Sequence, residues 1–136
     1  MRDEDAILFA NEVFYNAFQS RDLIAMETIW AVKAPLICVH PGGAPLHGRA
    51  AILASWAEIL KHAASADLRF AEARAIIVDG VAFVSCFERI GGGALSATNA
   101  FVREYGRWRM VLHHAGSCAE VPQFAPDNGE NRGALH

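Results

Sequence analysis

Cysteine is scarce in this chain of 136 residues, and the three present, Cys38, Cys86 and Cys118, are odd in number with no C-x-x-C spacing. That argues against a disulfide framework and a thiolate metal knuckle, and predicts buried thiols. Six histidines are present, yet none forms H-x-x-x-H or H-E-x-x-H, and His113 and His114 are adjacent, so no metal is expected. Long apolar runs are also missing. None reaches the about 18 residues of a membrane span, so no membrane partner is expected. The 12 basic residues are scattered against 15 acidic ones, for a net charge of -3. Without a basic run there is no phosphate-tracking surface, and nucleic acid is not an expected partner. The start, Met1-Arg2-Asp3-Glu4-Asp5, is acidic where a signal peptide is basic, so a cytoplasmic protein is expected.

What the chain has is apolar material, 53% of its residues, enough for one domain with a core of its own. Ile7, Ala10, Asn11, Phe14, Ala17 and Phe18 fall on one face of a helix predicted from about Asp3 to Ser20. A short helix follows from about Leu23 to Trp30. Pro35 precedes a strand, Leu36 to His40, and Pro41-Gly42-Gly43 forces a turn. A third helix runs from Gly48 to about Lys61. Its Arg49 opposes the helix dipole and so calls for a partner, an acidic side chain ahead of a ligand.

The remainder reads as four strands in a meander: Asp67 to Val78, Val81 to Ile90, Leu95 to Glu104 and Trp108 to Gly116. They turn at Asp79-Gly80, Gly91-Gly92-Gly93 and Tyr105-Gly106-Arg107. In the first, Leu68, Phe70, Ile76 and Val78 are expected on one face. Helices first and a meander afterwards define an α+β fold, with the helices on one face of a curved sheet. The domain is expected to occupy 1–117. The segment 118–136, poor in large apolar residues after Phe124, is expected to be loose or packed on a partner subunit.

The punctuation of this order resembles the NTF2-like superfamily, and within it the SnoaL-like branch. The resemblance rests on Ser20-Arg21-Asp22, Trp30, Val39-His40-Pro41-Gly42, Leu46-x-Gly48-Arg49, Ser55-Trp56, Thr98-Asn99, Gly106-x-Trp108 and His113-His114, and reaches to about Ser117. It implies a cone with an internal cavity and a homodimer through the outer sheet face. It does not imply an activity, since this superfamily includes isomerases, cyclases, dehydratases and members that only bind or assemble. Compared with the ketosteroid isomerases, His40 stands where a carboxylate base precedes a Pro-x-Gly turn. Phe14 stands where their tyrosine belongs, and Thr98 or Asn99 where their protonated aspartate belongs. The steroid-isomerase mechanism is therefore not expected.

Three residues are the candidates for catalysis. His40, at the end of an apolar strand, is a general base if its imidazole is buried neutral, or else a structural histidine bonded across its own turn. His114 shares a strand face with Trp108, Met110 and Leu112, which points it inward and His113 outward. Asn99 alternates with Phe101 and is a donor to a substrate oxygen, or else a hydrogen-bond partner of a neighbouring strand or of His114. Phe14, Trp30, Cys38, Trp56, Cys86, Glu88, Phe101, Trp108, Met110 and Leu112 are the expected pocket lining. The alternation of Ala82, Val84, Cys86 and Glu88 against Phe83, Ser85, Phe87 and Arg89 does not say which set is inward. An inward Glu88 calls for a cation, with Arg74 and Arg103 on adjacent strands as candidates, or a raised pKa.

Two functions fit. One is an enzyme with no cofactor that moves a proton next to the carbonyl of a small, apolar or aromatic compound: an isomerase, cyclase or dehydratase. The other is a non-catalytic dimeric ligand-binding or interaction module.

Overall fold

In the computed structural model, which describes residues 2–120, 122 and 124, helix α1 (Asp3–Gln19) carries its acidic first turn at the positive end of the helix dipole. Helix α2 (Leu23–Ile29) is capped by Asp22, whose side chain accepts from the Ala25 N–H at 3.0 Å. Strand β1 (Ile37–Val39) follows. A two-residue strand β2 (Leu46–His47), which the glycine-rich bend does not suggest, folds back on it. Helix α3 (Arg49–Lys61) runs into a 3-10 turn (Ala63–Asp67). Then come β3 (Arg69–Val78), β4 (Val81–Ile90), β5 (Gly93–Glu104) and β6 (Arg107–Ser117).

The predicted meander is present. The sheet order is β2-β1-β6-β5-β4-β3, antiparallel except where β1 lies parallel to β6. At the β3–β4 hairpin Asp79 and Gly80 both take positive φ, 48° and 81°, the conformation of a tight turn whose twist matches its strands. The three helices pack on one face of the curved sheet, and the core between them holds Ile7, Phe14, Phe18, Met26, Trp30, Ile52, Trp56, Phe101 and Met110.

Two arginines fasten the helices. Arg49 donates to the carbonyls of Trp30 (2.8 Å), Ala31 (3.1 Å) and Glu27 (2.6 Å) at the C-terminal end of α2. Its partner is thus neither an acidic side chain nor a ligand, but carbonyls a helix end leaves unpaired. Arg21 does the same at the end of α3, donating to Leu60 and Lys61.

Two bulges decide which residues face inward, and both correct the reading by alternation. In β3 the register shifts between Ala71 and Arg74, and Glu72 has φ 57°. Phe70 packs inward before the shift and Ala73 and Ala75 after it, which leaves Ile76 and Val78 exposed. In β6, Ala100 of β5 faces Leu112 while its neighbour Phe101 faces Met110, so Val111 is an extra residue. Met110 and His113, odd-spaced in sequence, are both buried. Strand β6 ends at Ser117. Most of the tail expected at 118–136 lies outside the described residues, though the Cys118 N–H is bonded to the Ala94 carbonyl.

Candidate functional site

The bend after β1 fixes His40. Its carbonyl accepts the Gly43 N–H at 2.8 Å, with Pro41 and Gly42 at the turn's centre and Gly42 at φ 75°. Proline presets the first central position and only glycine takes the second without strain. The imidazole swings toward α3. His40 Nε2 lies 2.9 Å from Ser55 Oγ and 3.6 Å from Cys38 Sγ, and the ring stands edge-on to Trp56 at 4.9 Å. Ser55 spends its one hydroxyl proton on the Ile52 carbonyl at 2.6 Å. Nε2 must therefore carry a proton and donate, which leaves Nδ1 as the basic lone pair. Burial lowers the His40 pKa, favouring the neutral ring. The bond across its own turn, expected if His40 were structural, is made by the backbone and not by the ring.

Deeper in, five polar side chains meet with no more than 2% exposure each: Asn11, Tyr15, Glu88, Asn99 and His113. The sheet register makes the set. Cys38, His113 and Asn99 lie side by side on β1, β6 and β5. His113 Nδ1 meets Asn99 Oδ1 at 2.6 Å, and Asn99 Nδ2 donates to Asn11 Oδ1 at 2.8 Å and Tyr15 Oη at 3.1 Å. Because an amide oxygen only accepts, His113 Nδ1 carries the proton and its Nε2 is bare, 3.9 Å from Glu88 Oε2. Tyr15 donates to that same Glu88 oxygen at 2.5 Å and touches Cys86 Sγ at 3.3 Å.

Burial sets the charge states. It lifts the Glu88 pKa to about 7 against the opposing hydrogen bond from Tyr15. It holds His113 down to about 3, assisted by the neighbouring imidazoles of His40 and His114. The Tyr15 phenol is raised by burial and then by Glu88, and Cys38 and Cys86 are both pushed up to about 12 by burial. At neutral pH the thiols are protonated and His113 is neutral, while the Glu88 carboxyl, at about 7, is the group of this array that changes charge near neutrality. His40 and His113 stand 6.2 Å apart between ring centroids, with Trp56 beside both.

Several expected lining residues meet here. Phe14 packs on Tyr15, Trp56 and His113; Cys38, Cys86 and Glu88 are as described, so it is the Glu88 face of β4 that is inward. The Glu88 partners are Tyr15 and His113, not Arg74 or Arg103; Arg74 is exposed and Arg103 pairs with Asp3 at 3.0 Å. Others lie elsewhere. Trp30, Phe101 and Met110 are buried core, with Trp30 bridged to Met110, and Trp108 lies under the first half of α1. Leu112 and His114 are corrections. Past the Val111 bulge the alternation inverts, so His113 is inward, His114 is exposed and Leu112 faces outward.

Tyr15 was missed. The resemblance points to Phe14, which has no hydroxyl, and the hydroxyl comes one residue later. The available signal was Asn11, a polar residue on the apolar stripe of α1 that needs a buried partner, with Tyr15 one turn further on. Among the described residues no cluster of three or more His, Cys, Asp or Glu side chains is spaced to hold a metal ion.

Three helices on a curved, mainly antiparallel sheet, with a buried polar array between them, define a small α+β protein of NTF2-like architecture. The chain belongs to the SnoaL-like domain family, whose model matches residues 7–120. No curated protein matches the sequence. Among solved structures it is similar to a protein from Streptomyces avermitilis named as a dehydratase of the NTF2-like family. That match has 26% identity and TM-score 0.75, covering 87% of this chain and 97% of the other. A second, from Thiobacillus denitrificans, is named as a calcium/calmodulin-dependent protein kinase type II association domain. It is 37% identical with TM-score 0.65, covering 80% and 92%. No helix among the described residues is long and apolar enough to cross a membrane.

Proposed function

We propose that this protein is a proton-transfer enzyme, a dehydratase or isomerase, acting on a small, largely apolar carbonyl compound with its own side chains. One observation carries the reading: a neutral imidazole, His40, held by Ser55 with Nδ1 basic, stands 6.2 Å from a second neutral imidazole backed by a carboxyl of pKa about 7. A base for a proton next to a carbonyl and an acid for the departing or enolic oxygen are what such reactions need. In dehydration, His40 Nδ1 takes the α-proton, the C–O bond at the β-carbon breaks, and the Glu88 carboxyl supplies the proton that leaves with the hydroxyl as water. The likeness to the Streptomyces protein named as a dehydratase supports dehydration as the class of reaction.

The test is a screen of β-hydroxy ketones and β,γ-unsaturated ketones for loss of water or double-bond migration, followed by His40→Gln. The variant is expected to lose about 100-fold in kcat, the lower end of a general base's contribution, with an unchanged melting temperature. Turnover equal to the parent's removes His40 from the chemistry, and no turnover of either substrate class rejects the reading.

A second reading, an assembly module, has its own observation. Ile37, Leu112, Ala100, Phe83 and Ile76 are register partners in turn and form one apolar row across the outer sheet face. Ile37 and Ile76 are 40% and 61% exposed. A row of this kind suits a homodimer through the outer face, and the 37% identical protein named as an association domain supports it. Ile76→Lys is expected to halve the mass seen by sedimentation at micromolar concentration; an unchanged mass speaks against this face.

A further inference from the structure

Helix α1 carries a second apolar stripe beside the one in the core. Ala6, Phe9, Ala10 and Val13 recur at helical spacing, and Phe9 is left 59% exposed. Together with the end of α2 and the β5–β6 hairpin, this stripe lines a groove of about 410 Å³. The size suits a small organic molecule. Its charged lining has one sign, Arg103, Arg107 and Arg109, with no Asp or Glu among the lining residues, in a chain whose net charge is negative.

Two donors on this wall are buried without an acceptor among the described residues, Trp108 Nε1 and Arg109 Nε. The Arg103 guanidinium lies over the Trp108 ring at 5.1 Å, and its carboxylate partner, Asp3, is held in a pair more than half exposed on both sides. An exposed pair of this kind is weak and readily exchanged for another carboxylate.

We propose that this groove is a binding site for a small monocarboxylate with an aromatic or short aliphatic body. The body lies on Phe9, Val13 and Ile29, and the carboxylate meets the arginines of the hairpin and the Trp108 indole N–H. A guanidinium is matched to a carboxylate, and an indole N–H donates to it without a charge of its own. The site is separate from the His40 array, which faces the other stripe of α1, and does not depend on the proposed activity.

The experiment is an NMR titration of the intact chain with 4-phenylbutyrate and with its neutral amide, following the three indole N–H resonances, with Trp108→Phe assigning one of them. The acid is expected to shift the Trp108 resonance saturably and to leave those of Trp30 and Trp56 in place. The amide is expected to bind about tenfold or more weakly, the loss of one charge-assisted hydrogen bond. Arg107→Gln and Phe9→Ser, both at exposed positions, should each weaken the acid about tenfold in a protein whose spectrum shows it folded, while His40→Gln should bind as the parent does. Equal affinity for acid and amide, shifts at Trp56 instead of Trp108, insensitivity to both groove variants, or no saturable shift would each overturn the proposal.

Discussion

Replacing Asn99 by leucine is expected to destabilise the protein by about 3–6 kcal/mol, although the two side chains are close in size. The loss comes from stranded partners, not from a cavity. Asn99 accepts from His113 Nδ1 and donates to Asn11 Oδ1 and Tyr15 Oη. Tyr15 keeps its bond to Glu88, but His113 and Asn11 lose the bonds described for them while remaining out of water. A buried polar group left unpaired costs about 1–3 kcal/mol. Two such groups, with the lost bonds themselves, consume much of the about 5–15 kcal/mol a domain has in reserve. Urea unfolding followed by circular dichroism measures this, with Thr98→Val beside it. Thr98 is exposed on the other face, and its replacement should stay within about 0.5 kcal/mol. A loss below about 1 kcal/mol for Asn99→Leu would mean that the array does not act as a connected unit.

That array was only partly legible in the sequence. The helices, the meander and the Asp79-Gly80 turn follow from periodicity and turn chemistry, because each is specified by residues next to one another. Strand β4 came out with its expected ends, and its inward face was settled by the register with β3 and β5. What periodicity cannot show is an extra residue in a strand. Val111 is apolar and fits either face, so nothing local marks it as the bulge that turns His113 in and His114 out. The edge strand β3 hides its switch at Glu72 in the same way. Partners far apart in sequence were equally hidden. Asn11 and Asn99 are 88 positions apart and Tyr15 and Glu88 are 73, and only the packing of α1 on the sheet joins them. His40 was legible because its own turn, Pro41-Gly42-Gly43, delivers it; Ser55, which holds it, was not, because it comes from a separate helix.

The same pairing makes the pH dependence of stability unusual, and Glu88→Gln should expose it. Glu88 titrates near 7 in the folded protein against an ordinary 4.5, so between these values the folded state keeps a proton that the unfolded chain has released. Stability then falls as pH rises through that window, by about 3 kcal/mol in all. His113 works the other way. Held down to about 3 against an ordinary 6.5, it refuses a proton that the unfolded chain takes up, so stability rises with pH between 3 and 6.5. Each slope is about 1.4 kcal/mol per pH unit. Where the windows overlap, from pH 4.5 to 6.5, they cancel, and the parent protein should be nearly flat, tilted slightly upward by the lowered His40. Below that range His113 acts alone and stability drops toward acid; just above it Glu88 acts alone and stability drops toward neutral. Glutamine still accepts the Tyr15 hydroxyl and its amide can donate toward His113 Nε2, but it has no proton to lose. The variant should therefore climb steadily from pH 4 to 6.5 and, by pH 8, be more stable than the parent by up to about 3 kcal/mol. Urea unfolding at half-unit steps from pH 4 to 8 decides it. Curves that run parallel for the two proteins would mean that Glu88 is ionised in the folded state well below neutrality, and would take from the site the acid that the proposed dehydration requires.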